Sequence, residues 1–94
     1  MPHGNIIVYG SDWCGDCRRA KRYLNEHDIP YLWIDIEHDR EGEQIVLRLN
    51  NGIRSIPTII FDDGSILVEP SNQTLSEKLN QVILPDVPVK NTVR

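Results

Sequence analysis

Short runs of uninterrupted apolar residues alternate along the chain with longer stretches in which apolar positions recur at helical spacing. Asn5-Ile6-Ile7-Val8-Tyr9 is almost wholly apolar and β-branched, the pattern of a strand covered on both faces of a sheet. Gly10-Ser11-Asp12 interrupts it, and from Cys14 to His27 the period becomes helical. Cys17, Ala20, Tyr23 and Leu24 share one face of that helix, whereas Arg18, Arg19, Arg22 and Glu26 point elsewhere. Asp28-Ile29-Pro30 stops it, because a residue before proline is driven out of the α region. Tyr31 to Ile36 is a second apolar and aromatic strand, which completes a βαβ unit and so predicts parallel strands with a right-handed crossover.

A second helix is expected over Arg40 to Leu49, with Ile45 and Leu49 stacked one turn apart and Asn51-Gly52 as its stop. Gly42 inside it costs about 1 kcal/mol relative to alanine, which predicts a loose first turn. Thr58 to Phe61 and Ile66 to Glu69 then read as strands joined by Asp62-Asp63-Gly64-Ser65 into an antiparallel hairpin, ended by Pro70. The last helix spans Gln73 to Ile83, with Leu75, Leu79, Val82 and Ile83 on its inner face. Ser71 or Asn72 is a candidate N-cap, and Thr74 with Glu77 fits a capping box. Pro85 and Pro88 exclude regular helix after Leu84. These elements predict one α/β domain over residues 1–84 and a mobile tail over 85–94. A four-stranded mixed sheet in the order β-α-β-α-β-β-α, with helices on both faces, satisfies the parallel pair and the hairpin together.

Charge and composition narrow the function classes. A net charge of -4 gives no whole-molecule attraction for nucleic acid or an anionic membrane. No apolar run approaches the roughly 20 residues of a membrane helix. Met1 to Asn5 has no basic region of a secretion signal, so a cytoplasmic monomer is expected. The two cysteines, Cys14 and Cys17, are too close in sequence to serve as a useful staple, because cross-linking them closes almost no chain. Reactive chemistry is the better explanation of the pair.

A thiolate attacks a disulfide, so a working cysteine must favour its anion and be reachable. Cys14 falls where a strand ends and a helix begins, at the unpaired N–H groups and the positive end of the helix dipole. Cys17, one turn further on, is expected to be more covered. Cys14 is therefore the expected attacking sulfur and Cys17 the resolving one. Gly15 leaves room for a substrate backbone, and Trp13 offers a broad apolar surface beside the sulfur. Asp16 opposes a thiolate, but Arg18, Arg19, Lys21 and Arg22 follow at once and are expected to outweigh it. That basic run reads equally well as a solvated face or as a docking patch. A zinc site is disfavoured, because His3, His27 and His38 show no paired ligand spacing to complete four ligands. In Arg54-Ser55-Ile56-Pro57-Thr58, local sequence alone favours a trans proline opening the strand. A Cys-x-x-Cys at an upstream strand–helix junction favours a cis proline that presents the preceding backbone to a ligand.

Val8-Tyr9 leading to Trp13-Cys14-Gly15-Asp16-Cys17, and then Ile56-Pro57-Thr58, resembles the glutaredoxin branch of the thioredoxin superfamily. The pattern is more closely similar to the mycoredoxins in Trp13-Cys14-Gly15-x-Cys17-Arg18, Asp35-Ile36-Glu37-His38, Asn51-Gly52 with Arg54-x-Ile56-Pro57-Thr58, Phe61-x-Asp63-Gly64-Ser65 and Pro70-Ser71. The likeness runs from about Ile7 to Leu79 and implies a thioredoxin fold. It also implies reduction of disulfides, especially mixed disulfides between a protein and a low-molecular-weight thiol. Cys14 is then the nucleophile and Cys17 the resolving cysteine of a redox-active pair. Trp13, Gly15, Asp16 and Arg54 are implied as substrate contacts, as are Ile56, a cis Pro57, Ser71 and Asn72. No tightly bound cofactor or metal is implied; the co-substrate is a small thiol, and a flavoprotein disulfide reductase is a further implied partner. Pro70-Ser71-Asn72 stands where glutathione-using members carry Gly-Gly, which favours mycothiol or a related thiol over glutathione. Asp16 stands where an aromatic residue is common, a change that bears on redox potential and substrate preference. Two other functions fit parts of the pattern: a thioredoxin-like electron donor to a specific reductase, such as a ribonucleotide reductase, and an iron–sulfur or metal-binding module.

Overall fold

The computed structural model describes residues 6–82. Within them lie β1 (Ile7–Gly10), α1 (Gly15–Glu26), β2 (Leu32–Asp35), α2 (Arg40–Leu49), β3 (Thr58–Ile60), β4 (Ile66–Val68) and α3 (Asn72–Val82). The expected tail over 85–94, Ile83 and the Asn5 start of the first strand lie outside the described residues. No helix among the described residues is long and apolar enough to cross a membrane.

The four strands form one mixed sheet in the order β2-β1-β3-β4. β1 runs parallel to β2, with Val8 opposite Trp33, and antiparallel to β3, with Val8 opposite Ile59. β3 and β4 are the predicted hairpin. β1 is interior, which explains its unbroken apolar sequence: alternate residues must be covered on opposite faces. Ile6 and Val8 meet Ala20 and Leu24 of α1 and Leu75 and Leu79 of α3, together with Ile59 and Phe61. Tyr9 turns to the other face, and it gathers with Ile36, Val46 and Ile56 in a second buried cluster that reaches Cys17 at the end of β1. Each fully buried side chain such as Leu24 or Ile59 contributes about 1.5–3 kcal/mol through loss of apolar surface to water. Trp33 packs against both clusters and joins them.

Several local expectations change. Gly10 continues β1 instead of breaking it, and its carbonyl accepts the Ile36 N–H at 2.9 Å. α1 ends two residues before the stretch that Pro30 constrains. Asp28 adopts a left-handed φ of 56°, Ile29 N–H reaches Leu24 O at 2.9 Å, and Asp28 N–H reaches Asn25 O at 3.1 Å. This is a Schellman ending, with Ile29 packed back on the Leu24 cluster. α2 ends in the same way, with Asn51 at φ 57° and Gly52 N–H on Leu47 O at 2.7 Å, as Asn51-Gly52 predicted.

The inner face of α2 is centred on Gly42 and Val46, while Ile45 is only half-buried and Leu49 is exposed. Gly42 decides that rotation, because a Cβ there would lie 2.7 Å from Ile34 Cγ2. The first turn is anchored, since Asp39 caps it by accepting the Gly42 N–H at 2.8 Å. In α3, Ser71 is the capping side chain, taking the Thr74 N–H at 3.1 Å, so Thr74 lies inside the helix and not at a capping box. Leu75 and Leu79 are buried as expected; Val82 and Ile83 are outside the residues whose side chains are described.

Candidate active site

β1 delivers the chain to a turn at Asp12–Trp13, closed by the Cys14 N–H on Ser11 O at 3.3 Å, and Cys14 becomes the N-cap of α1. Its backbone is extended, with φ -83° and ψ 121°, and its sulfur accepts the Cys17 N–H at 3.2 Å. A side-chain acceptor in this position satisfies one of the N–H groups that a helix start leaves unpaired, and an anion there gains further from the dipole. Cys14 remains partly exposed whereas Cys17 is fully buried, and both are free thiols. Burial pushes the Cys17 thiol up to about 12; its hydrogen bond to Cys14 adds to the rise, and the Ser11 backbone opposes it. The sulfur of Cys17 lies over Gly10: a Cβ on residue 10 would stand 2.5 Å from it and 3.0 Å from the Trp33 ring.

The loop before β3 brings the second half of the site. Ile56-Pro57 is a cis peptide, and the Ile56 carbonyl lies 4.0 Å from Cys14 Sγ, near the limit for a sulfur contact. Thr58 holds the loop by donating its hydroxyl to Ser55 O at 2.7 Å and accepting Asn50 Nδ2 at 3.2 Å. Glu69 N–H donates to Pro57 O at 2.8 Å, which ties the proline to the end of the hairpin.

Of the other expected site residues, Trp13 is 65% exposed beside Cys14, so its indole face is open to a ligand, and Gly15 is exposed at the first turn of α1. Asp16 is paired with Arg19 at 3.2 Å, and Arg19 continues to Asn72 Oδ1 at 2.9 Å. Asn72 is thus linked to the cysteine motif, whereas Ser71 is engaged in capping α3. Arg18 and Lys21 reach back to Asp12, at its carbonyl (3.0 Å) and carboxylate (3.4 Å). Lys21 Nζ also sits 3.7 Å from the centre of the Trp33 ring. Much of the basic run therefore braces the active-site turn. Arg54 is bound by Glu37 and Glu43, and Glu37 also accepts the Trp13 indole N–H at 3.0 Å. Sequence reasoning missed Glu37, Glu43 and Gly10 as contributors. The available signal for Glu37 was its position just past the C-terminal end of a parallel strand, where open α/β sheets assemble their sites. Among the described residues no three His, Cys, Asp or Glu side chains converge to hold a metal ion.

The family model for Glutaredoxin matches residues 6–66, which takes in both cysteines and the cis proline. The chain belongs to the glutaredoxin family. A Mycobacterium tuberculosis protein provisionally named a glutaredoxin is 39% identical over 77 residues, 82% of this chain and 92% of that protein. Mycoredoxin 1 of Corynebacterium glutamicum is 33% identical over 66 residues, 70% of this chain and 81% of its own. The crystal structure of a Methanosarcina mazei glutaredoxin superposes with a TM-score of 0.68 at 26% identity, covering 82% of this chain and 79% of that one. The mixed sheet with helices on both faces is accordingly the thioredoxin fold, and the protein is a thiol–disulfide oxidoreductase of glutaredoxin type, close to the mycoredoxins.

Proposed function

We propose that this glutaredoxin reduces mixed disulfides between proteins and a small thiol, with Cys14 as nucleophile, Cys17 as resolving thiol and mycothiol or a related compound as co-substrate. The observation that carries the reading is the asymmetry of the two sulfurs. Cys14 is reachable, caps a helix and receives an N–H, whereas Cys17 is enclosed and its thiol is pushed up to about 12. Of the two, Cys17 stays protonated at neutral pH, and Cys14 is the sulfur that a disulfide can reach.

In the exchange, Cys14 thiolate attacks the small-thiol sulfur of the mixed disulfide. One S–S bond forms as the other breaks, and the protein thiolate leaves and takes up a proton. Cys14 then holds the small thiol until a second molecule of it attacks, which returns Cys14 and yields the oxidised dimer of the small thiol. Alternatively Cys17 loses its proton and displaces the small thiol, closing a Cys14–Cys17 disulfide that needs an external reductant. In this reading the bound thiol contacts the Ile56 carbonyl, 4.0 Å from the Cys14 sulfur, and the cis Pro57, with Trp13, Gly15, Asp16, Arg54, Ser71 and Asn72 as its further contacts. The choice of thiol is supported by the relative named mycoredoxin 1 and by Pro70-Ser71-Asn72 in place of Gly-Gly. A cytoplasmic setting, with a pool of small thiol and its flavoprotein reductase, suits this cycle.

Cys14→Ser is expected to abolish reduction of a protein–small-thiol mixed disulfide, and Cys17→Ser to retain it, in an assay coupled to the small thiol and its reductase. Full activity of Cys14→Ser refutes the assignment. Turnover only with thioredoxin reductase would instead identify an electron donor of thioredoxin type.

A further inference from the structure

Arg54 is committed twice. Its Nε donates to Glu43 Oε2 at 3.0 Å and its terminal nitrogen to Glu37 Oε2 at 2.7 Å. The same Glu37 oxygen accepts the indole N–H of Trp13 at 3.0 Å. Trp13 directly precedes Cys14, and Arg54 lies two residues before Ile56, whose carbonyl is 4.0 Å from the Cys14 sulfur. One carboxylate therefore links the residue before the reactive sulfur to the loop that carries the cis proline.

The charges in this cluster do not cancel: two carboxylates meet one guanidinium, leaving one negative charge in surplus. Hydrogen bonds from Arg54 and Trp13 hold the Glu37 carboxyl below its ordinary range, so it stays ionised throughout neutral pH. Around the cysteine motif itself, Asp16 is offset by Arg19 and Asp12 by Lys21, and Arg18 reaches the Asp12 carbonyl, so the negative surplus belongs to the Trp13–Arg54 side of the sulfur. Two of the five guanidinium N–H donors are spent on these carboxylates, and a ligand carboxylate that approaches Arg54 also meets the charge of Glu37 and Glu43.

We propose that Glu37 and Glu43 are specificity-determining residues, which engage Arg54 and leave surplus negative charge on the Trp13 side of Cys14, so that this surface selects small thiols lacking a carboxylate. The inference rests on Cys14 being the attacking sulfur. Selection acts on the exchange step itself, in which Cys14 thiolate forms a new S–S bond with one half of a small disulfide while the other half leaves as a thiolate and is protonated.

The test uses the full chain carrying Cys17→Ser and three symmetric disulfides of similar size: cystamine (cationic), 2-hydroxyethyl disulfide (neutral) and 3,3′-dithiodipropionate (anionic). The rate of Cys14 mixed-disulfide formation is followed by mass spectrometry. Each rate is divided by that of free 2-mercaptoethanol with the same reagent, which removes intrinsic reactivity. The corrected rates should fall from cationic to neutral to anionic by about threefold or more per step, the size of effect that an exposed elementary charge exerts on a charged reagent in a water-like dielectric. Raising the salt concentration toward 1 M should flatten the series. Glu43→Gln, which leaves the Glu37–Trp13 bond in place, should raise the anionic-to-neutral ratio about threefold, and Glu37→Gln should raise it also. Equal corrected rates for all three reagents, or an unchanged ratio in folded Glu43→Gln, would overturn the inference while leaving the nucleophile assigned. Failure of Cys14 to react with any reagent would overturn the underlying reading instead.

Discussion

Gly10→Ala tests how tightly the buried sulfur is seated. The added Cβ would meet Cys17 Sγ at 2.5 Å and the Trp33 ring at 3.0 Å, where ordinary contact begins at 3.4 Å. Residue 10 is the last of the interior strand β1, and Cys17 is fully buried on α1 with a single rotatable bond, so neither partner has an easy retreat. Overpacking of this kind costs about 1–3 kcal/mol, and the reduced chain entropy of alanine in the unfolded state returns only about 0.4–1 kcal/mol. A net loss of about 1–2 kcal/mol lowers the melting temperature of a domain this size by roughly 4–16 °C. The assay is thermal or denaturant unfolding of reduced protein in a double-mutant cycle with Cys17→Ala. Deleting the sulfur leaves the new methyl facing only Trp33, so Gly10→Ala should cost at least about 1 kcal/mol less in that background. Displacement of the sulfur should also slow closure of the Cys14–Cys17 disulfide while sparing exchange at Cys14. The reasoning is refuted if Gly10→Ala melts with the parent, or costs the same with and without Cys17.

Gly42→Ala gains about 1 kcal/mol of helix propensity, yet it should lower the melting temperature, because its Cβ would press to 2.7 Å from the branched Ile34 Cγ2; a stabilised variant would show that α2 can slide away. The Cys17 thiol, raised from 9.0 to about 12, is neutral in the fold at pH 8, so iodoacetamide should give one adduct, on Cys14, until the protein is denatured. Because the folded value lies above the ordinary one, the stabilisation from this group is complete below pH 9 and is lost as pH rises toward 12; equal native labelling of both cysteines would contradict it. The Asp63 carboxyl is drawn down from 3.8 to about 2, first by the Ser65 hydroxyl, then by the Ser65 N–H and by Lys78. Its stabilisation is present above the ordinary value and is lost as pH falls toward 2, so Asp63→Asn should melt earlier at pH 6 and show a flatter acid dependence below pH 4, as read by thermal scans.

What the sequence alone determined is the part written in short-range pattern. The unbroken run Ile6-Ile7-Val8-Tyr9 reports an interior strand, Asn51-Gly52 reports a left-handed helix ending, and the pair Cys14 and Cys17 at a strand–helix junction reports the chemistry. Each depends on the residue itself and its near neighbours, and backbone sterics translate those directly into structure. Tertiary structure decided whatever depends on which surfaces meet. The face that α2 turns inward follows from Gly42 meeting Ile34 on another element, not from the i, i+4 pairing of Ile45 and Leu49. Glu37 entered the site because the parallel crossover carries it back to Trp13, 24 positions earlier, and to Arg54, 17 positions later. Cys14 meets Ile56 across 42 positions, and Arg19 meets Asn72 across 53. A lone glutamate or glycine has the same local propensities wherever it occurs; only the closing of the sheet gives it a partner, and with the partner a role.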